Sequence, residues 1–538
     1  MDRLPDGFLQ NLRKQFQELK DNSSMIAKDA TDQSIKDSGD GNKKREYIVE
    51  NEFSLIVSKI DEILSTLEKD SAGYLRILSM KASLLYEKAK ICLTNSWFEK
   101  SKESLENSLN LIMDYSTEPQ IAFLYLRIIN YLSYVLSRSG ELERARTLLE
   151  KVIDDGINCQ PNIYSTEDLF LEAQSEEATD RSKIDKIMVN NMHMLGWIYG
   201  KLGLNELYAA IQFRSLQKEL DYNNGDPVQW AIRCYRLGSL FLADGKWKDA
   251  RYLLVAAQVI LDPLEAGVTP NPLVYRAQAE LARIWVNYGL YLFSVSRKSI
   301  LDNKFEDASE NAHEKSCEVK AEPTTSTPPD QFKFTGFEVT VPNVPVSEIH
   351  ENEEARSLFA HTLKWLKRAR LYYTLRDYPI QYVNIILELS ELYRLLAFYE
   401  SDIDCQYNLQ KKRFETLEAL SGILKDVRPN CYVSVSVELI REIIEVQIEL
   451  MNLNLKKIYN PTEEVNNINE EDLKRRIDAV IDISSKMNNI DYEGVQDCSA
   501  AADIDLIAED GNKTGEAINL IENSMDGKDE TSIDKLCP

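Results

Sequence analysis

Residues 230–263 read WAIRCYRLGSLFLADGKWKDARYLLVAAQVILDP. Leu237 and Gly238 are followed by Phe241, then by Gly245, Trp247, Ala250, Leu254 and Ala257, and Pro263 closes the stretch. This is the order and spacing of a tetratricopeptide (TPR) hairpin, in which a helix A turns back on a helix B. The residue types fit the physics of that turn. Gly238 and Ala250 are small enough to let the two helices approach, and Gly245 permits a left-handed backbone between them. Leu237, Phe241, Trp247 and Leu254 are large enough to fill what remains.

Moving outward, residues 129–152 repeat the scheme with Ile129, Leu132, Ser133, Leu136, Gly140, Leu142, Ala145, Leu149 and Val152. Residues 191–220 do so with Leu195, Gly196, Tyr199, Gly203 and Ala209, one residue out of register in the second helix. Residues 85–108 carry a weaker copy in Ala89, Cys92, Phe98, Ser101, Leu105 and Ser108. Four such copies predict an all-α fold, a TPR-like α-solenoid whose hairpins each pack on their neighbours. The expected division is an N-terminal helix and flexible loop over 1–46, a first solenoid half over 47–300, a linker over 301–350, a second helical half over 351–460 and an acidic, weakly structured tail over 461–538. Within it, 22–46 reads as a loop, 157–182 as an acidic connection and 470–488 as a last helix. The linker assignment rests on the Pro, Thr and Glu clustered in CEVKAEPTTSTPPDQFKFTGFEVTVPNVPVSE, a composition poor at burying a core.

The chain carries 63 Lys and Arg against 88 Asp and Glu, a net charge of −25. Nucleic acid and anionic membrane are repelled at long range by such a charge, whereas a basic partner surface is attracted. The eight cysteines form no CxxC pair and no zinc spacing with the four histidines. No apolar run approaches the length of a membrane span, and the N-terminus lacks the apolar core of a signal peptide, which points to the cytosol. There is no HExxH, no GxSxG elbow and no complete phosphate loop, only the fragments at 39–43 and 510–514. No cofactor or metal is expected, and nothing marks an active site.

What the pattern does offer is a surface. The A helices of a TPR-like array line its concave side. Candidate partner-binding residues there are Asn190, His193, Met194, Trp197 and Lys201 on one helix and Arg233, Tyr235 and Arg236 on the next, with Lys218 nearby. Trp197 is either a packing residue or an exposed anchor. Trp, Tyr and Arg are the residues enriched in interface anchors. Trp230 and Trp247 read as structural. Arg233 and Arg236, one turn apart, suit either a solvated face or a binding role.

Two runs carry a more specific likeness. Asn191-Met192-His193-Met194-Leu195 through Tyr199, Asp226-Pro227-Val228-Gln229-Trp230-Ala231-Ile232, and Ala250-Arg251 through Ala256-Ala257-Gln258-Val259-Ile260 form the first. Leu396-Ala397-Phe398-Tyr399-Glu400-Ser401-Asp402, Lys411-Lys412-Arg413 and Leu417-Glu418-Ala419-Leu420 form the second. Together they resemble the KIF-binding proteins, that is, kinesin-family binding proteins, over about 75–460, with Asp226 and Gln229 departing from the family pattern. The resemblance implies a cytoplasmic, cytoskeleton-associated TPR-like solenoid. Its implied partners are kinesin motor domains and, through them, the microtubule cytoskeleton. It further implies control of motor attachment and transport, and a role in axonal microtubule organisation and axon outgrowth. After the region around 430–459 the family continues with amphipathic helices, whereas this sequence turns polar and acidic. The alternative is a generic TPR adaptor or co-chaperone for peptide segments. It would require a basic clamp, to which Lys201, Arg233 and Arg236 are the nearest approach.

Overall fold

A computed structural model describes residues 53–69, 71–94, 97–155, 181–222, 225–265, 271–310, 332–426 and 433–459, with scattered positions in 12–17 and 474–481. The expected loop at 22–46, most of the connection at 157–182, most of the helix at 470–488 and the tail at 489–538 lie outside these residues. All regular structure among the described residues is helical. None of these helices is long and apolar enough to cross a membrane. After a helix over 53–64, the α-helices from Ala72 to Tyr459 are α1 (Ala72–Thr94), α2 (Phe98–Ile112), α3 (Ala122–Arg138), α4 (Leu142–Asp155), α5 (Arg181–Lys201), α6 (Asn205–Tyr222), α7 (Pro227–Ala243), α8 (Trp247–Glu265), α9 (Pro272–Glu310), α10 (Asn352–Tyr372), α11 (Pro379–Tyr399), α12 (Ile403–Asp426) and α13 (Val433–Tyr459). The chain forms two compact units, Met1–Asp226 and Pro227–Pro538.

Three hairpins turn in the same way. Gly140, Gly203 and Gly245 sit at φ of 84°, 71° and 71°, where a side chain would be strained. At each turn the residue after the glycine donates its N–H five residues back. Glu141 reaches the Leu136 carbonyl, Leu204 that of Tyr199 and Lys246 that of Phe241, each at 2.9 Å. Together with the glycine's own bond this closes the helix in the Schellman manner. The first hairpin lacks a glycine there but makes the same bond, Trp97 N–H to the Cys92 carbonyl at 2.8 Å. Its helices approach closely because Ser101 and Ser108 of α2 donate to the Ala89 and Ala82 carbonyls of α1. In α7 a Cβ placed on Gly238 would meet the Ala250 carbonyl oxygen at 3.4 Å and Leu254 at 3.2 Å, so glycine there sets the α7–α8 separation.

In the first unit α1–α2, α3–α4 and α5–α6 pair, and α3 also lies against α5. One core runs through them, from Leu75 and Tyr86 through Leu132 and Leu149 to Leu195 and Ile211. Phe53, Ile56 and Ile60 form a smaller cluster with Ile77, Met80 and Leu84 of α1. In the second unit α7–α8, α9–α10 and α11–α12 pair, and α13 packs on α12. Arg413 of α12 is fully buried in this unit. It donates to the Ser390 hydroxyl at 2.9 Å and to a Glu442 carboxylate oxygen at 2.5 Å.

The expectation of a linker throughout 301–350 is corrected at both ends. Residues 301–310 continue α9, and 311–331 lie outside the described residues. Residues 332–350 are irregular but packed into the second unit, with Phe334, Val344 and Ile349 buried. Phe332 meets Phe241 at 4.7 Å between ring centroids, and Phe334 meets Trp230 at 5.3 Å and Tyr252 at 5.9 Å. The backbone is tied down by side chains. Tyr252 accepts from the Phe334 N–H, Arg251 donates to the Val344 carbonyl, Tyr288 donates to the Pro345 carbonyl and Ser296 accepts from the Ile349 N–H. Averaged composition hides this segment. Its prolines forbid helix, but its aromatics and valines have apolar surface to bury, and an extended strap is the form left to them.

Candidate interaction groove

The first unit carries a groove of about 590 Å³ between α3 and α5. It is lined by Asn130, Tyr134, Ser137 and Arg138 of α3 and by Asn190, His193, Met194 and Trp197 of α5. The hairpin turns explain the pairing. Tyr134 and Trp197 both stand six residues before the turn glycine, at Gly140 and Gly203, and Asn130 and His193 both stand ten before it. Equivalent positions on neighbouring A helices therefore face one opening.

Beneath the opening the two helices are bolted by a polar contact. Asn130 Nδ2 donates to Asn191 Oδ1 at 2.8 Å, and Asn191, wholly buried, donates in turn to the Leu126 carbonyl at 3.4 Å. A buried amide pair of this kind fixes register, because sliding either helix would leave polar groups unpaired. His193 Nε2 lies 3.3 Å from Glu219 Oε1 of α6.

The rim is aromatic and cationic. Trp197 is 45% exposed and Tyr134 is 36% exposed. Each has a cation one turn further on. Lys201 Nζ lies 5.5 Å from the centroid of the Trp197 ring, and the Arg138 guanidinium lies 5.8 Å from that of Tyr134. Trp197 is therefore a partly exposed side chain with its own cation–π partner. Such a surface can hold a protein segment by burying aromatic area and supplying charge. Among the described residues, no group of three or more His, Cys, Asp or Glu could hold a metal ion.

The remaining predicted residues fall elsewhere. Lys218 belongs to α6, where it sits 4.0 Å from Asp185 and over the Tyr222 ring, outside the groove lining. Arg233, Tyr235 and Arg236 belong to the second unit. Tyr235 is 1% exposed and its hydroxyl donates to Glu280 Oε2 of α9 at 2.6 Å, so it packs the core of that unit instead of lining a groove. Burial, and then that hydrogen bond, push its hydroxyl well above the usual phenol range. Arg236 is exposed and Arg233 half-buried. Trp230, at 3% exposed, is structural as expected, and Trp247 packs edge-on to Tyr288 and at a tilt to Tyr291. The α3 half of the groove was not foreseen. Counting back from Gly140 as from Gly203 is the signal that finds it.

Residues 228–479 match the family described as KIF-1 binding protein C terminal. A KIF-binding protein from Gallus gallus is 24% identical over 428 residues, covering 74% of this chain and 70% of that protein. One from Mus musculus is 25% identical over 408 residues, covering 69% and 65% respectively. The chain thus spans about two thirds of the length of these relatives. A solved structure named Kinesin binding protein is 15% identical, with a TM-score of 0.55, covering 99% of this chain and 94% of that one, which is a likeness of fold.

Proposed function

We propose that this chain, a relative of the KIF-binding proteins, binds kinesin motor domains and grips them through the groove between α3 and α5. The partner class comes from the name its relatives bear. The observation that carries a gripping role is the pair of exposed, cation-capped aromatics at Trp197 and Tyr134 on helices locked in register beneath them. An exposed Trp is costly in water and gains most when a partner covers it.

In this reading the chain is a binding protein without a catalytic step or cofactor. It works in the cytoplasm, and its effect on the cytoskeleton runs through the motors it holds. With a net charge of −25 it attracts basic surfaces at long range. A motor domain whose microtubule-facing side is basic, as binding to an acidic filament requires, would be drawn in and kept from the filament. Control of motor attachment, and with it a part in axonal microtubule organisation and outgrowth, belongs to the same proposal.

The test is a pull-down of purified kinesin motor domains on the full chain, paired with microtubule co-sedimentation of the motor. Retention of at least one motor, and its loss from the microtubule pellet as the chain is added, is expected. No retained motor and no displaced motor across a panel of kinesins would overturn the proposal.

A further inference from the structure

The end of α10 and the turn into α11 invert the character of the chain. Residues 364–376 read KWLKRARLYYTLR, with five Lys or Arg and no Asp or Glu, in a sequence whose net charge is −25. Lys364, Lys367 and Leu371 follow one another at three and four positions along α10 and so share one face. Lys364 is exposed, Lys367 is half-buried, and Arg376 is exposed in the turn beyond. None of these three cations forms an ion pair among the described residues, whereas Arg368 donates to Asp262 of α8 at 2.8 Å. Two aliphatic side chains accompany them. Leu371 is 82% exposed and Ile380 is 55% exposed.

The turn that presents them is braced. Tyr372 and Tyr378 stack at 5.2 Å between ring centroids with their hydroxyls 3.0 Å apart, and Tyr373 meets both rings edge-on. Asp377, the one acidic residue of the turn, accepts the Thr374 hydroxyl at 2.8 Å. Cations in the last turn of a helix complement its dipole, which accounts for Arg370. It does not account for Lys364 two turns earlier, for Arg376 outside the helix, or for aliphatic side chains left in water beside them.

From this geometry we infer that Lys364, Lys367, Leu371, Arg376 and Ile380 form a docking site for this chain's own acidic tail, at residues 503–510. That segment reads DIDLIAED, with four carboxylates, the aliphatic Ile504, Leu506 and Ile507, and no cation. Cations meet carboxylates and aliphatic side chains cover one another, so the two are chemical complements. Connectivity favours the tail over a separate acidic partner. α13 ends beside the start of α12, where Lys457 pairs with Asp404 and lies 4.7 Å from the Tyr407 ring centroid. α11, 21 residues long, leads from the patch to that same place, about 30 Å at about 1.5 Å per residue. Residues 460–502 could extend to about 140 Å at about 3.3 Å each, so the tether reaches the patch with slack. Docking is then intramolecular, an advantage no separate partner has. The inference does not depend on motor binding.

Carbodiimide cross-linking of the full chain, read by mass spectrometry on an equal mixture of ordinary and 15N-labelled protein, tests it. Links from Lys364 or Lys367 to carboxylates within 503–510 are expected inside one chain and not between labelled and unlabelled chains. Hydrogen exchange gives a second readout. The variant Asp503→Asn/Asp505→Asn/Glu509→Gln is expected to speed exchange at 371–380 about fivefold, as high salt does in the wild type. Lys364→Glu/Lys367→Glu is expected to do the same, with circular dichroism showing unchanged helicity. Adding Asp503→Lys/Asp505→Lys/Glu509→Lys to that variant should restore the protection. Links found only between chains, no links to the patch, or exchange unaltered by the tail variant would each overturn the inference. So would protection of 371–380 that arises only on adding vesicles containing phosphatidylserine, which would make the patch a membrane contact instead.

Discussion

Two regions of the molecule use the same residue types to opposite ends. In the second unit Trp230 and Phe241 are covered by Phe332, Phe334 and Phe337, brought to them by the strap at 332–350. In the first unit Trp197 and Tyr134 flank an open groove, partly exposed, with a cation against each ring. The first arrangement is a closed account, in which the chain supplies the occupant for its own apolar surface. The second leaves that surface for something else to cover. An aromatic on a repeat helix is therefore not a binding residue by its type or its register alone. What decides is whether another part of the same chain reaches it.

The contrast predicts a split between stability and binding. The largest effect is expected in the strap. Phe334→Ala removes a buried ring from between Trp230 and Tyr252 and should destabilise the second unit by about 3–5 kcal/mol, read from denaturant unfolding. Motor binding by the molecules that remain folded should change far less than stability does. If Phe334→Ala leaves unfolding unmoved, the strap is not the cover described here.

Packed aromatics in the second unit also impose a pH dependence. His361 lies edge-on to Trp285 at 4.8 Å between ring centroids and accepts the Trp365 indole N–H at 3.0 Å, which requires a neutral imidazole. Burial first, and then Lys364, push its pKa down to about 4. A depressed histidine contributes stability above its unfolded pKa, and that contribution is lost as pH falls from about 6.5 toward 4. Wild-type stability should therefore drop over that window more steeply than that of His361→Gln. Parallel slopes in thermal unfolding at pH 7, 6, 5 and 4 would contradict this placement of His361.

The groove should behave in the opposite way. Trp197→Ala is expected to weaken motor binding by about 2 kcal/mol, in the range of an interface anchor, with unfolding changed by well under half of that. Equal losses of binding and stability would make Trp197 a packing residue after all. The smallest effect belongs to Tyr235→Phe, which deletes the hydroxyl donor to Glu280 but keeps the ring. About 1 kcal/mol of stability should go, with motor affinity unaltered. An affinity loss there would return Tyr235 to the binding surface.

The residues make clear why some of this was legible in advance. The hairpins announce themselves because Gly140, Gly203 and Gly245 mark turns that no other residue makes cheaply, and the small residues Ser133, Gly196 and Gly238 recur seven positions earlier. The α5 half of the groove was legible because Trp197 lies off the apolar stripe defined by Leu195 and Tyr199. Its α3 half was not. In AFLYLRIINYLSYVLSR apolar residues surround nearly the whole helix, and one exposed Tyr cannot be told from its buried neighbours. Tyr235 was misplaced because its partner Glu280 is 45 residues away on α9. The strap was missed because composition was averaged over 301–350, which blended the Pro/Thr tract with a segment in which Phe332, Phe334 and Phe337 are followed by Val339, Val341, Val344 and Val346.

The central claim is that a motor domain docks on the α3–α5 groove, and hydrogen exchange of the full chain with and without a purified kinesin motor domain tests it most directly. The account predicts new protection on binding, concentrated at 130–138 and 190–201, with 332–350 unchanged because it is already covered. Protection that bypasses both groove helices, while a motor is demonstrably bound, would contradict it.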